Sequence, residues 1–469
     1  MNHYYLKTLM VALILGFSQQ LFAENRLGSL LKDHMVLQRN TQVNLWGWDN
    51  PGQKIKITTS WNKSSQVVTD KDGKWITKVE TPNAGGPHRI EIKGSSSHKI
   101  SDILIGDVWI CSGQSNMYMP LKGYKNQPVK NSNDLILNSN NDQIRFFNVA
   151  TKLSTQKEET VEGKWVVSSP KESPNFSAVA YTFAKQIQNI TQVPIGIVST
   201  SKGASRIEAW MDNTALKEFG DISIPTSVPD KDGHKKPTLL FNGMIHPLIN
   251  YTAKGFLWYQ GEANISSYKN YSRLSQSMIG RWRQLWNNSE MPFYFVQIAP
   301  YNYPKRKSAY LREQQQKVLE IVPHTGMAVT MDIGDHDCIH PSEKEKVGKR
   351  LAYIALNKNY GYTTIGCDAP MLDKVTGLGS STVVVTMKNI ANGLSSFGQP
   401  LLGFEVAGKD KKFHYAVASI NKKDSSISVG SQAVKEIVSV RYGFKNFIPA
   451  TLYNTAGIPA SSFRTDNWE

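Results

Sequence analysis

Four short segments of this 469-residue chain put reactive side chains directly after apolar, strand-like runs. In the first, Cys111-Ser112-Gly113-Gln114-Ser115-Asn116-Met117, the run Ile103 to Cys111 breaks into a Gly/Ser turn ahead of a helix. A serine so placed carries its Oγ at the carboxyl end of a parallel strand, beside helix N-terminal N–H groups able to hold a developing oxyanion. Ser115 is therefore a candidate nucleophile, with a helix N-cap as the plain alternative. A hydroxyl attacks poorly until an imidazole takes its proton, and that imidazole needs a carboxylate to fix its tautomer. Asp335-His336-Asp337-Cys338-Ile339-His340-Pro341, after the last apolar strand, supplies both: His340 as base and Asp337, three residues earlier, as acid. His336, Cys338 and His340 also read as metal ligands. All three crowd into one loop with no second ligand cluster elsewhere, so acid/base work is preferred and no metal or other cofactor is expected.

The third segment is Trp258-Tyr259-Gln260-Gly261-Glu262-Ala263-Asn264, where Asn264 can donate to a tetrahedral oxyanion or simply make a turn. Asn264-Ile265-Ser266 is also a glycosylation sequon, and a glycan there is incompatible with a site role. The fourth, Ser199 to Trp210, offers the Gly203 N–H. Each segment is weak alone. Together they set Ser, Gly, Asn and His on four strand ends in that chain order.

The elements that must position them change along the chain. Residues 24–101 show short alternation (Val43, Leu45; Ile55, Ile57; Trp75, Val79; Ile90, Ile92) broken by turn signals such as Asn50-Pro51-Gly52, which predicts a β-sandwich. Residues 102–366 hold compact apolar runs separated by helical stripes, Ala178/Tyr181/Ala184/Ile187 and Tyr271/Leu274/Met278/Trp282/Leu285, as expected of a buried parallel sheet with crossover helices. Residues 367–469 return to alternation and predict a second β-domain; Asp221 to Lys236 reads as a long polar surface loop.

Composition bounds the classes. With 40% hydrophobic and 20% charged residues the chain is neither disordered nor collagenous, and its 3 cysteines make no disulfide framework. The net charge of +16 favours anionic partners, but Lys/Arg runs are short and scattered, so no nucleic-acid partner is expected. Residues 1–23, with Lys7 before an apolar stretch and Leu21-Phe22-Ala23 before a cut, read as a signal peptide for export, periplasmic or secreted. No later run is long enough for stable membrane insertion.

The blocks Gly113-Gln114-Ser115-Asn116, Gly203, Gly261-Glu262-Ala263-Asn264 and Asp337-Cys338-Ile339-His340 resemble those of the SGNH (GDSL-like) serine hydrolases, and more closely the sialate O-acetylesterases and related carbohydrate acetylesterases. Met35 to Arg39 with Trp46-Gly47, Ile207 to Trp210, Asn242 to Ile245 and Pro459 to Asp466 extend the resemblance over nearly the whole mature chain. It implies an α/β fold, a flavodoxin-like three-layer hydrolase domain flanked by accessory β-domains. It also implies metal-free removal of O-acetyl groups, 9-O-acetyl among them, from sialic acids; the expected partner is an acetylated sugar or sialoglycan. Ser115 matches the nucleophile and His340 the base, with Ser115, Gly203 and Asn264 forming the oxyanion hole; Gln114, Glu262 and Arg206 are expected at the substrate. Family members often carry the acid two residues before the His, where this chain has Cys338; Asp337 is the preferred substitute, Asp335 and a Ser/His pair without a carboxylate being the alternatives. His246 departs from the family pattern and has no assigned role. Two other readings are an acetylxylan or other plant-glycan acetylesterase, and a non-catalytic glycan-binding protein.

Overall fold

The computed structural model describes residues 25–468, so the expected signal peptide lies outside the described residues. Near the amino terminus, alternation does what it predicts. Strands Gln42–Trp48 and Lys74–Glu80 pair antiparallel, while Lys54–Thr59 pairs with Ser64–Val68 and with Gly85–Lys93. Val43, Leu45 and Val79 of the first sheet share one apolar cluster with Ile55, Ile57, Ile90 and Ile92 of the second.

Strand β1 (Ser97–Gly113) is 17 residues long and belongs to two environments. Its first half pairs antiparallel with Gly85–Lys93 and is buried only in part. From Ile103 on it is buried throughout: Leu104 to Gly106 pair parallel with Val36–Gln38, and from Asp107 the strand runs parallel inside the central sheet, covered on both faces. The expected boundary at residues 101/102 therefore falls inside β1.

The central sheet adds β2 (Asn141–Asn148), β3 (Trp165–Ser168), β4 (Ile195–Ser201), β5 (Gly255–Tyr259), β6 (Phe293–Val296) and β7 (Thr325–Ala328). Its order is β3-β2-β4-β1-β5-β6-β7, parallel except that β3 runs against β2, so the sheet is mixed. Side chains alternate between its faces. Ile195, Ile197, Leu257 and Tyr259 enter one apolar cluster, with α2 (Ala178–Thr191) and α5 (Lys344–Asn359). Val198, Phe256 and Trp258 enter the other, with α3 (Tyr271–Leu285) and α4 (Ser308–Ile321). The helical stripes read from sequence are these core faces. The four-residue α1 (Ser115–Tyr118) caps β1.

Beyond α5, strands Met371–Thr376, Thr382–Lys388, Val417–Ile420 and Ile427–Gly430 form one sheet, and Phe404–Ala407, Phe413–Tyr415, Ser439–Tyr442 and Phe463–Arg464 another. Arg312 of α4, fully buried, joins the latter region to the centre by donating to Ser462 Oγ at 3.3 Å and to the carbonyls of Gly443 (3.0 Å) and Lys445. The chain is thus mixed α/β, a central mixed sheet with extra β-sheets at both ends. Among the described residues no helix is long and apolar enough to cross a membrane.

Candidate active site

Strand register sets the site level. Gly113 at the end of β1 stands opposite Ser201 of β4 and Tyr259 of β5. Two residues past each lie Ser115, Gly203 and Gly261, at the carboxyl edge where the connections on either side of β1 diverge. Gly113 has φ +138°, and a Cβ there would fall 2.1 Å from the Tyr259 carbonyl oxygen, so only glycine lets the chain turn from β1 into Ser115. A Cβ built on Gly203 would sit 3.7 Å from that of Ser115.

The loop after β7 brings His340 across this edge, with Nε2 2.7 Å from Ser115 Oγ. Burial, and then the Lys344 ammonium, push the imidazole pKa down to about 4, so the ring is neutral at neutral pH. A neutral ring whose Nε2 accepts the Ser115 proton carries its hydrogen on Nδ1. That hydrogen points at Gln127 Oε1, 2.5 Å away. Gln127 sits on the turn 123–127, closed by backbone bonds with Tyr124 in both directions. The same turn lays the Tyr124 ring edge-on to His340, 5.3 Å between centroids, and the Tyr124 hydroxyl donates to the Ser115 carbonyl at 3.1 Å.

Asp337 was expected on Nδ1 of His340, and the structure places it elsewhere. Asp335 Oδ1 accepts the N–H groups of Asp337 (2.8 Å) and Cys338 (3.1 Å), and this turn swings Asp337 outward. Its side chain is 89% exposed and bonds His336 Nδ1 at 2.6 Å. Cys338 directs its thiol to the His340 carbonyl at 3.3 Å. Neither Asp337 nor Asp335 makes a hydrogen bond to the His340 ring.

Asn264 is fully buried, which is incompatible with a glycan. Its Oδ1 accepts from Ile207 N (3.0 Å) and Gln260 Nε2 (2.8 Å), and its Nδ2 donates to Glu208 Oε2 at 2.9 Å, leaving one N–H to spare. Gln114 Oε1 faces the N–H groups of Gly261 (3.3 Å) and Ala263 (3.4 Å). Arg206 bonds Ser267 Oγ at 3.0 Å, and Glu262 accepts from Asn116 Nδ2 at 2.6 Å. Ser115, His340, Gln114, Arg206 and Glu262 share a cavity of about 720 Å³, which is also lined by Lys236, Arg306 and the Lys235–Asp232 ion pair (2.9 Å). The loop read as plain polar surface, Asp221 to Lys236, thus supplies part of that wall. His246 bonds the Glu158 carbonyl at 2.7 Å and lines a separate cavity.

Sequence reasoning missed Gln127, Tyr124 and Lys344. Gln127 and His340 are 213 residues apart, and a Gln in a polar turn carries no signal of its own.

A hydroxyl hydrogen-bonded to a neutral, oriented imidazole, facing a cavity at a strand edge, is an arrangement for acyl transfer. Comparisons with known proteins agree with that chemistry. Residues 105–357 match the family described as carbohydrate esterase, sialic acid-specific acetylesterase. The chain is 30% identical to the human sialate O-acetylesterase over 393 residues, covering 75% of this chain and 74% of the human protein. Against the mouse sialate O-acetylesterase it is 28% identical over 426 residues, 76% of this chain and 77% of the mouse protein. A crystal structure of a novel carbohydrate acetylesterase from Xanthomonas citri superposes with a TM-score of 0.87 at 35% identity, covering 95% of this chain and all of that one. The protein is a carboxylic ester hydrolase. More narrowly, the chain belongs to the sialic acid-specific acetylesterase family of carbohydrate esterases.

Proposed function

We propose that the protein hydrolyses O-acetyl esters of sialic acids, the 9-O-acetyl ester among them, through a Ser115–His340 pair oriented by Gln127. The observation that carries this reading is the 2.7 Å contact of His340 Nε2 with Ser115 Oγ in a cavity that Arg206, Lys235, Lys236 and Arg306 line beside the acidic Asp232 and Glu262. Ser115 Oγ attacks the acetyl carbonyl carbon as His340 takes its proton. The oxyanion is met by the N–H groups of Ser115 and Gly203 and the spare Nδ2 hydrogen of Asn264. His340 returns the proton to the departing sugar oxygen, leaving acetyl-Ser115; water, deprotonated by His340, then releases acetate and restores the hydroxyl. Gln127 takes the place of a triad carboxylate: its oxygen fixes the tautomer without adding a charge. Arg206 and Gln114 face the sugar, whereas the Glu262 carboxylate, expected there, is buried and turned to Asn116; Lys236 and Arg306, with Lys235 paired to Asp232, favour a sugar bearing a carboxylate.

Counting β1, β4, β5, β6 and β7 as first to fifth in the chain, their spatial order is 2-1-3-4-5, with β2 and β3 added at one edge. That order supports the flavodoxin-like SGNH reading. In this reading residues 24–101 and 367–469 are accessory β-domains, and residues 1–23 direct export.

The test is acetate release from 9-O-acetyl-N-acetylneuraminic acid by the wild type and Ser115→Ala. The variant should fold normally and lose about 10⁶-fold in kcat; near-normal turnover would remove Ser115 from the mechanism. A second reading, de-acetylation of a carbohydrate other than a sialic acid, is compatible with the similarity over 95% of this chain to the Xanthomonas citri carbohydrate acetylesterase, and acetylated xylo-oligosaccharides in the same assay decide between the two.

A further inference from the structure

Beneath the Ser115–His340 contact lies a buried charged assembly that the acyl-transfer steps do not use. Lys344 at the start of α5 is completely buried and donates its Nζ to Asn116 Oδ1 at 2.5 Å. Asn116, 1% exposed and adjacent to Ser115, donates Nδ2 to Glu262 Oε1 at 2.6 Å and to the Ile339 carbonyl at 3.1 Å. Glu262 is 3% exposed, and its Oε2 has no partner among the described residues. The Asn116 amide thus lies between a cation that only its oxygen can accept and a carboxylate that only its nitrogen can satisfy, so it cannot flip. With the amide locked, its second N–H holds the carbonyl of the residue before His340.

We propose that Lys344, Asn116 and Glu262 form a buried clamp that positions His340 against Ser115, with Lys344 as its anchoring residue. The clamp rests on the reading of Ser115 and His340 as the reacting pair. It does through the backbone what a carboxylate on Nδ1 does in a triad: it fixes where the imidazole stands. The groups around His340 are Tyr124 on its ring, Cys338 on its own loop, Lys344 and Glu262 of the buried assembly, and Arg206, Asp232, Lys235, Lys236 and Arg306 lining the shared cavity. Of these, Lys344 is the charge that lowers the imidazole pKa, so its removal has a readout that a purely structural role would lack.

The experiment is the pH dependence of kcat and KM for p-nitrophenyl acetate in Lys344→Met and in Lys344→Met/Glu262→Gln. The double variant leaves no lone buried charge and serves where the single one fails to fold. Both should lose about 10²-fold in kcat, the scale of a misplacement of about 1 Å, with KM within about twofold. The acid limb of kcat/KM should rise by about one pH unit as the ammonium is lost. A folded variant with wild-type kcat, or with an unmoved acid limb, overturns the clamp. A wild type that cleaves no acetyl ester instead overturns the functional reading, so the two failures are distinguishable.

Discussion

Replacing Gln127 by Glu puts a carboxylate where a triad would have one. In the wild type the Nδ1 partner is uncharged, and the base is held near pKa 4 by burial and by Lys344. Activity needs neutral His340, so kcat/KM should fall as the pH drops through about 4 to 5. With about 4 Å between imidazolium and carboxylate and an effective dielectric constant of about 20, the attraction is about 4 kcal/mol, or about 3 pH units. Gln127 is only half-buried. Solvent screening reduces the shift to about 1–2 units, which moves the acid limb to about pH 5–6. Gln127→Leu separates charge from orientation. It removes the acceptor from Nδ1–H, so kcat should fall between about 10²- and 10⁴-fold while the limb stays in place. The assay is initial-rate hydrolysis of p-nitrophenyl acetate from pH 3.5 to 9 at constant ionic strength. A Gln127→Glu profile superimposable on the wild type, or full kcat in Gln127→Leu, would refute the assignment of Gln127 to the imidazole.

Asp337→Asn should leave kcat within about twofold, because its carboxylate is solvated and bonded to His336; a loss approaching 10⁴-fold would restore Asp337 as the triad acid. Arg312→Ala should lower unfolding stability by about 3–5 kcal/mol, read from the urea midpoint, since it strands the buried acceptors at Ser462, Gly443 and Lys445. A shift below about 1 kcal/mol would mean that water replaces the guanidinium there.

The legible part of the site is the part that local pattern carries. Ser115, Gly203 and Asn264 each follow a strand whose apolar run is visible, and parallel register then brings them to one edge. The helical stripes were equally plain, because a helix packed on a sheet must repeat its apolar residues every three to four positions. What spacing could not supply was the partner of Nδ1. Asp337 lay at a suitable spacing, but the Asp335 carboxylate turns the loop, and the turn decides where Asp337 points. Gln127 reaches His340 only through tertiary folding. Lys344 likewise reads as a surface lysine at a helix start until Asn116 and Glu262 are seen beside it. The boundary at 101/102 falls inside β1 for a related reason: a switch from alternating to continuous apolar residues marks a change of surroundings, and β1 changes surroundings without ending.

That continuity has a consequence for how the molecule can be taken apart. A strand of the amino-terminal sheet and the strand that delivers Ser115 are one uninterrupted stretch of backbone, so a chimaera spliced at residue 102 would cut that strand about a third of the way along. A single inserted residue upstream of Ile103 would shift the strand by one pleat and exchange the side chains facing the two helical layers all the way to Gly113. Through β1 the amino-terminal sheet and the placement of the Ser115 hydroxyl are mechanically joined.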